Sequence, residues 1–180
     1  MLNNNPSGIT ISGFLVSNDR DKVKKQVPDK LPQFDEKVSF KRYVAINFYP
    51  IEEAIKEQQE AIKIIYGDLD PQHFYEFGKI DFNTIIESQF GRIVKSLFFS
   101  DFKRGLLGAS KLLESVIKGV KIQSIQKNDH EIVIQIDSDK LYCPEYWQGL
   151  LEAYMESFSI KSKVKVTVSL DKLDIEVKWF

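Results

Sequence analysis

The chain is poor in the residues on which most site chemistry depends. Of its 180 residues, one is cysteine and two are histidine: Cys143, His73 and His130. A single cysteine excludes an internal disulfide. A structural zinc takes about four ligands in a tetrahedral array, and this inventory supplies them only with help from carboxylates. Charge of one sign is also missing. Twenty-five basic against 26 acidic side chains leave a formal net charge of −1, so no global electrostatic case for nucleic acid arises. No apolar run approaches the ~18 residues that span a bilayer. The opening Met1-Leu2-Asn3-Asn4-Asn5-Pro6 lacks the charged and apolar regions of a secretory signal, and the expected compartment is the cytoplasm. No Gly-x-Ser-x-Gly elbow is present. Gly105-x-x-Gly108 falls inside a predicted helix without the lysine of a phosphate loop.

What is there is a dense apolar framework: 43% hydrophobic residues, with thirteen phenylalanines. Residues 1–8 read as a disordered lead-in and residues 9–180 as a single domain. Ile9–Val16 reads as a strand, Ser17–Lys25 as a short charged helix, and Val38–Phe48 as extended. The run Asp19–Lys30 mixes Lys and Asp of both signs and reads as a solvated face. Pro50 opens a helix carrying Ile51, Ala54, Ile55, Gln58, Ile62 and Ile65 inward, with Gly67 as its stop. Asp70-Pro71 starts another, expected to end near Gly78. Asp81 is expected to cap the next, whose stripe runs from Phe82 through Phe90 and Ile93 to Leu97. A further helix follows from Ser100 or Asp101 to Gly119.

The last forty residues organise the rest. Cys143-Pro144 opens a helix on which Trp147, Leu150, Leu151, Tyr154 and Phe158 recur at three- and four-residue spacing. Gly149 inside it signals a close neighbour, either a ligand or a packed sheet. After Ser159 the period becomes two: Lys163–Val168 and Leu173–Trp179 alternate as half-buried strands, with the valines inward. Ile132, Ile134 and Ile136 mark an earlier hairpin. Helices first, then hairpins around one helix, predict an α+β fold: a helical layer on an antiparallel sheet, with two C-terminal β-hairpins flanking a helix.

Phe48-Tyr49-Pro50, Ile65-Tyr66-Gly67, the stretch from Phe77-Gly78 to Gly91-Arg92, Tyr146-Trp147-Gln148-Gly149-Leu150-Leu151-Glu152 and Val177-Lys178-Trp179 together resemble a paralogous family of unknown function known from myxobacteria. The layout of that family is similar to vinyl-reductase-type small-molecule-binding domains, haem-nitric-oxide-binding domains and subunits of vesicle-tethering trafficking complexes. The resemblance implies a helical layer against an antiparallel sheet with an apolar cavity between. The gas-sensing branch carries a Tyr-x-Ser-x-Arg motif and an axial histidine on a helix. This chain has no such motif, so no cofactor and no metal is expected.

These readings lead to a non-enzymatic small-molecule-binding or protein-interaction domain in bacterial signalling or regulation. Phe90, Ile93, Trp147 and Tyr154 are the candidate ligand-lining residues, the ligand is small and apolar, and a homodimer or protein partner is a further expectation. The alternatives are a structural scaffold that dimerises without a ligand, and a cofactor-free enzyme using an acid pair or Cys143, whose place at a helix start would favour its thiolate.

Overall fold

A computed structural model of the chain describes residues 8–38, 43–88, 91, 101–138, 140–141 and 143–180. The expectations for residues 1–7, for Phe90 and Ile93, and for most of the stripe beyond Ser88 fall outside the described residues.

The architecture is α+β. The short strand β1 (Thr10–Ser12) leads into α1 (Gly13–Gln26), and a single 3-10 turn precedes α2 (Leu31–Lys37). Strand β2 (Phe48–Pro50), α3 (Ile51–Tyr66), α4 (Pro71–Glu87) and α5 (Phe102–Val116) follow. Then come β3 (Ile117–Lys118), the hairpin β4 (Ile122–Asn128) and β5 (Glu131–Ile136), α6 (Pro144–Glu156), and the hairpin β6 (Ser162–Ser169) and β7 (Lys172–Trp179). The strands make two antiparallel sheets, ordered β2-β1-β3 and β4-β5-β7-β6. The two hairpins are joined at their inner strands, where Ile134 faces Ile175 and Ile132 faces Val177, so α6 is the helix between them in sequence.

The period-two segments put Ile132, Ile134, Ile136, Leu173, Ile175 and Val177 into the core. Outward positions carry the charges that keep the other face wet. Strand β6 departs from the expected pattern. Val164 is buried, but Val168 is exposed at the sheet edge. Lys165 stands opposite Glu176 in the register, yet Glu176 pairs with Lys178 of its own strand at 3.0 Å.

Three expectations in the first half are corrected. The strand at Ile9–Val16 is limited to Thr10–Ser12, because the Ser12 hydroxyl accepts from the Phe14 amide and caps a helix that begins at Gly13. Of the stretch expected to be extended, residues 39–42 lie outside the described residues, residues 45–47 are turn and bend, and a strand begins only at Phe48. Asp81 caps nothing. Helix α4 runs unbroken through Gly78 from the Asp70 cap, whose carboxylate accepts from the Gln72 amide at 2.9 Å.

Gly78 survives inside α4 because α6 crosses it at backbone distance. A Cβ on Gly78 would run into the carbonyl oxygen of Tyr146, and one on Gly149 into the carbonyl of Tyr75. The close neighbour of Gly149 is thus a helix, neither a ligand nor a sheet. Tyr75 then donates to Glu152 at 2.7 Å, and Lys79 reaches Glu156 at 2.9 Å, fastening the outer edge of the same crossing. Gly67 ends α3 with φ 104°, in the left-handed region where glycine carries no Cβ penalty.

Candidate functional site

The site is built on a set of charged residues inside the protein. On α1, Val16, Asp19 and Val23 share one face, and Lys22 lies beside them. Asp19 and Lys22 are buried, the lysine at 1% exposure. The solvated face expected over Asp19–Lys30 therefore leaves these two out and is carried by Asp21, Lys24 and Lys25. The Lys22 ammonium sits 2.7 Å from Asp19 Oδ1 and 2.7 Å from Asp81 Oδ1 of α4. It also lies 4.3 Å from the centre of the Phe77 ring, in cation–π geometry. The Tyr146 hydroxyl of α6 donates to the other oxygen of Asp81. One ammonium and one phenol thus tie α1, α4 and α6 together.

Burial opposes the charge of Lys22, but its two carboxylate neighbours outweigh it and its pKa is raised. Asp19 goes the other way from a normal carboxyl. Burial pushes it up, Lys22 pulls it down, and Asp81 pushes it up again, for a value of about 6.

Beside this cluster lies a cavity of about 150 Å³. Its walls come from α4, α5 and α6, closed below by Ile11 of β1, Ile134 of β5 and Ile175 of β7. Phe82, Leu106 and Leu151 are typical of the lining. Trp147 and Tyr154 both border it. Each has its polar atom satisfied: Trp147 donates to the Leu141 carbonyl at 2.9 Å and Tyr154 to the Phe102 carbonyl at 2.7 Å. Neither polar atom is therefore left over for a guest, and each residue meets the space only as an apolar group. The residues missed by sequence reasoning are Asp19, Gln58, Asp81 and Tyr146, which also border it. Gln58 of α3 had been read as one of an apolar row, and its burial within that row was the available signal.

The other sequence candidates lie elsewhere. His73 stacks on Tyr66 with ring centroids 4.7 Å apart and bonds Asp68 at 2.7 Å. His130 is exposed in the β4–β5 turn, near Trp179. Cys143 does stand at the start of α6. Burial pushes its thiol up to about 12, against smaller lowering by backbone N–H groups, so the thiolate is disfavoured. Among the described residues, no group of three or more His, Cys, Asp or Glu is arranged to hold a metal ion. No described helix is long and apolar enough to cross a membrane.

Comparison with known proteins gives the fold its relatives. The profile of a protein family of unknown function, DUF2378, matches residues 10–179. No curated protein matches the chain. Solved structures with the same fold include H-NOX domains. An oxygen-binding H-NOX domain related to soluble guanylate cyclases aligns with TM-score 0.71 at 13% identity, over 94% of this chain and 95% of the other. An H-NOX protein from S. oneidensis in the Fe(II)NO ligation state aligns with TM-score 0.71 at 14% identity, over 94% and 99%. A mutant H-NOX of T. Tengcongensis aligns with TM-score 0.70 at 15% identity, over 94% and 97%. The chain belongs to the DUF2378 family and has an H-NOX-like fold.

Proposed function

We propose that this DUF2378 protein is a non-enzymatic sensor-type domain that takes a small, largely apolar molecule into its central cavity, and that it does so without haem. The observation that carries the reading is the cavity itself, about 150 Å³ of space walled mainly by apolar side chains. An apolar cavity of roughly this volume stays dry and admits a guest the size of benzene. Trp147 and Tyr154 offer their rings to that guest. Phe90 and Ile93, the other two residues expected on sequence pattern to meet a ligand, lie outside the described residues.

Among the neighbouring structures, one H-NOX protein is in an Fe(II)NO ligation state, another is an oxygen complex, and a third concerns haem redox potential, which makes haem the first group to test. The residues present do not fit it. Drug-sized ligands occupy roughly 300–1,000 Å³, and a porphyrin belongs to that range, well above this cavity. Haem iron takes His, Cys, Met or Tyr as its axial ligand. His73, His130, Cys143 and Met155 do not border the space. Tyr146 and Tyr154 do, but their hydroxyls are committed to Asp81 and to the Phe102 carbonyl, and burial raises the Tyr154 pKa. The buried cation nearest the cavity, Lys22, is already held between two carboxylates and is not free to anchor a propionate.

Occupancy of the cavity by a guest is the natural input of such a domain, and transmission to a partner in bacterial signalling its output. The test uses the full chain as purified. Native mass spectrometry is expected to find a small retained molecule, or else thermal melting is expected to shift upward with benzene or toluene. Absorption spectra are expected to lack a Soret band. Failure of every apolar probe to bind would refute the cavity reading. Stoichiometric haem, lost on His73→Ala, would refute the haem-free one.

A further inference from the structure

The lining of the cavity is not uniformly apolar, and its polar part is incompletely satisfied. Gln58 is 2% exposed, borders the cavity, and makes no hydrogen bond through its side-chain amide among the described residues. Asp19 borders it too. One of its carboxylate oxygens is taken by Lys22 at 2.7 Å, and no other side chain or backbone group among the described residues donates to the carboxylate. Buried amides and carboxylates are almost always paired. Two that border the same cavity without a partner among the described residues mark a place where another molecule supplies one.

The charges say which kind of molecule. The groups facing Asp19 are Lys22 on its own helix, Asp81 from α4, and Tyr146 from α6 through Asp81. With both carboxylates ionised, one ammonium is set against two negative charges, and the cluster carries one negative charge in excess. Burial and the nearby Asp81 hold the Asp19 proton more tightly than usual, as expected of a carboxylate still short of a counter-charge. A donor head with positive charge would pair the free oxygen of Asp19, use the carbonyl of Gln58, and neutralise the cluster. An apolar ligand without that head would leave both groups unpaired.

Resting on the reading of the cavity as a ligand site, we propose that its ligand is a small amine: an apolar body lying against Trp147 and Tyr154, and an ammonium head received by Asp19 and Gln58.

The experiment compares two probes with the same ring, benzylamine and toluene, binding to the full chain at pH 7.5 by titration calorimetry and saturation-transfer NMR. Benzylamine is expected to bind about tenfold more tightly than toluene, the scale of one charge-assisted hydrogen bond. Asp19→Asn keeps an acceptor for Lys22 but removes the excess charge. It should erase most of the preference for the amine while leaving toluene binding unchanged. Gln58→Leu, which retains the volume, should reduce the preference by part of that factor. Toluene binding as tightly as benzylamine to the unaltered protein would overturn the inference while leaving the apolar-ligand reading in place. So would an amine preference that survives both substitutions. Failure of both probes to bind would overturn the two readings together.

Discussion

Replacing Lys22 with methionine removes the one ammonium that lies between Asp19 and Asp81, and the consequence can be worked from the structure. Methionine roughly preserves the volume, and its sulfur can take over the contact with the Phe77 ring. What remains is the loss of charge. Removing one partner of a buried ion pair costs about 3–5 kcal/mol, since the surviving charge is left without compensation. Here two carboxylates are left, both less than 10% exposed. The expected loss at pH 7 is therefore about 3–5 kcal/mol, a large share of a typical domain's stability. The pH dependence is the sharper part. In the unaltered protein Asp19 already titrates near 6, raised from 3.8. A raised carboxyl holds its proton better folded than unfolded. Its contribution is full below about pH 3.8 and is lost as the pH rises through about 6. Without Lys22 the pull that lowers Asp19 disappears, and its titration moves higher still. The variant should thus be penalised less at pH 5 than at pH 7.5. Urea titrations followed by the fluorescence of Trp147 and Trp179, both buried, measure this directly. A loss at pH 7 below about 1 kcal/mol, against the 3–5 expected, would refute the buried-pair argument. So would a loss of the same size at both pH values.

The packing around α6 supports three shorter predictions. Trp147→Ala, which deletes a ring at 3% exposure together with its bond to the Leu141 carbonyl, should cost about 3–5 kcal/mol in denaturant titration. Gly149→Ala places a Cβ against the Tyr75 carbonyl and should lower stability by about 1–3 kcal/mol, as overpacked cores do; an unchanged melting curve would show that α4 and α6 can move apart freely. Cys143, with its thiol pushed up to about 12 by burial, should react with iodoacetamide at pH 7.5 far more slowly in the folded protein than after denaturation.

Much of the fold could be read because its elements repeat a simple period. Helix α6 and strands β5 and β7 bury one face each, and in them residue type and burial alternate together. Strand β6 was read less well, because it lies at a sheet edge where Val168 has nothing to pack against. The glycines of α4 and α6 were visible as anomalies, but only the structure says that each makes room for the other helix. The charged side of the cavity was hidden for a different reason. Lys22 and Asp19 sit in a run of lysines and aspartates that reads as solvent-facing, and Asp81 follows Phe77-Gly78 in a place that reads as a helix start. Each assignment is sound locally and fails because burial of a charge is decided by its partner. Lys22 and Asp81 are 59 residues apart in sequence, and neither can be buried without the other. One local signal did exist: Val16, Asp19 and Val23 fall at three- and four-residue spacing, and Phe77 and Asp81 are four residues apart. A charged residue in step with an apolar stripe, on two helices of opposite requirement, is what a buried ion pair looks like before the helices are brought together. The same signal locates the cavity, since the carboxylates that hold Lys22 are among the polar groups in its wall.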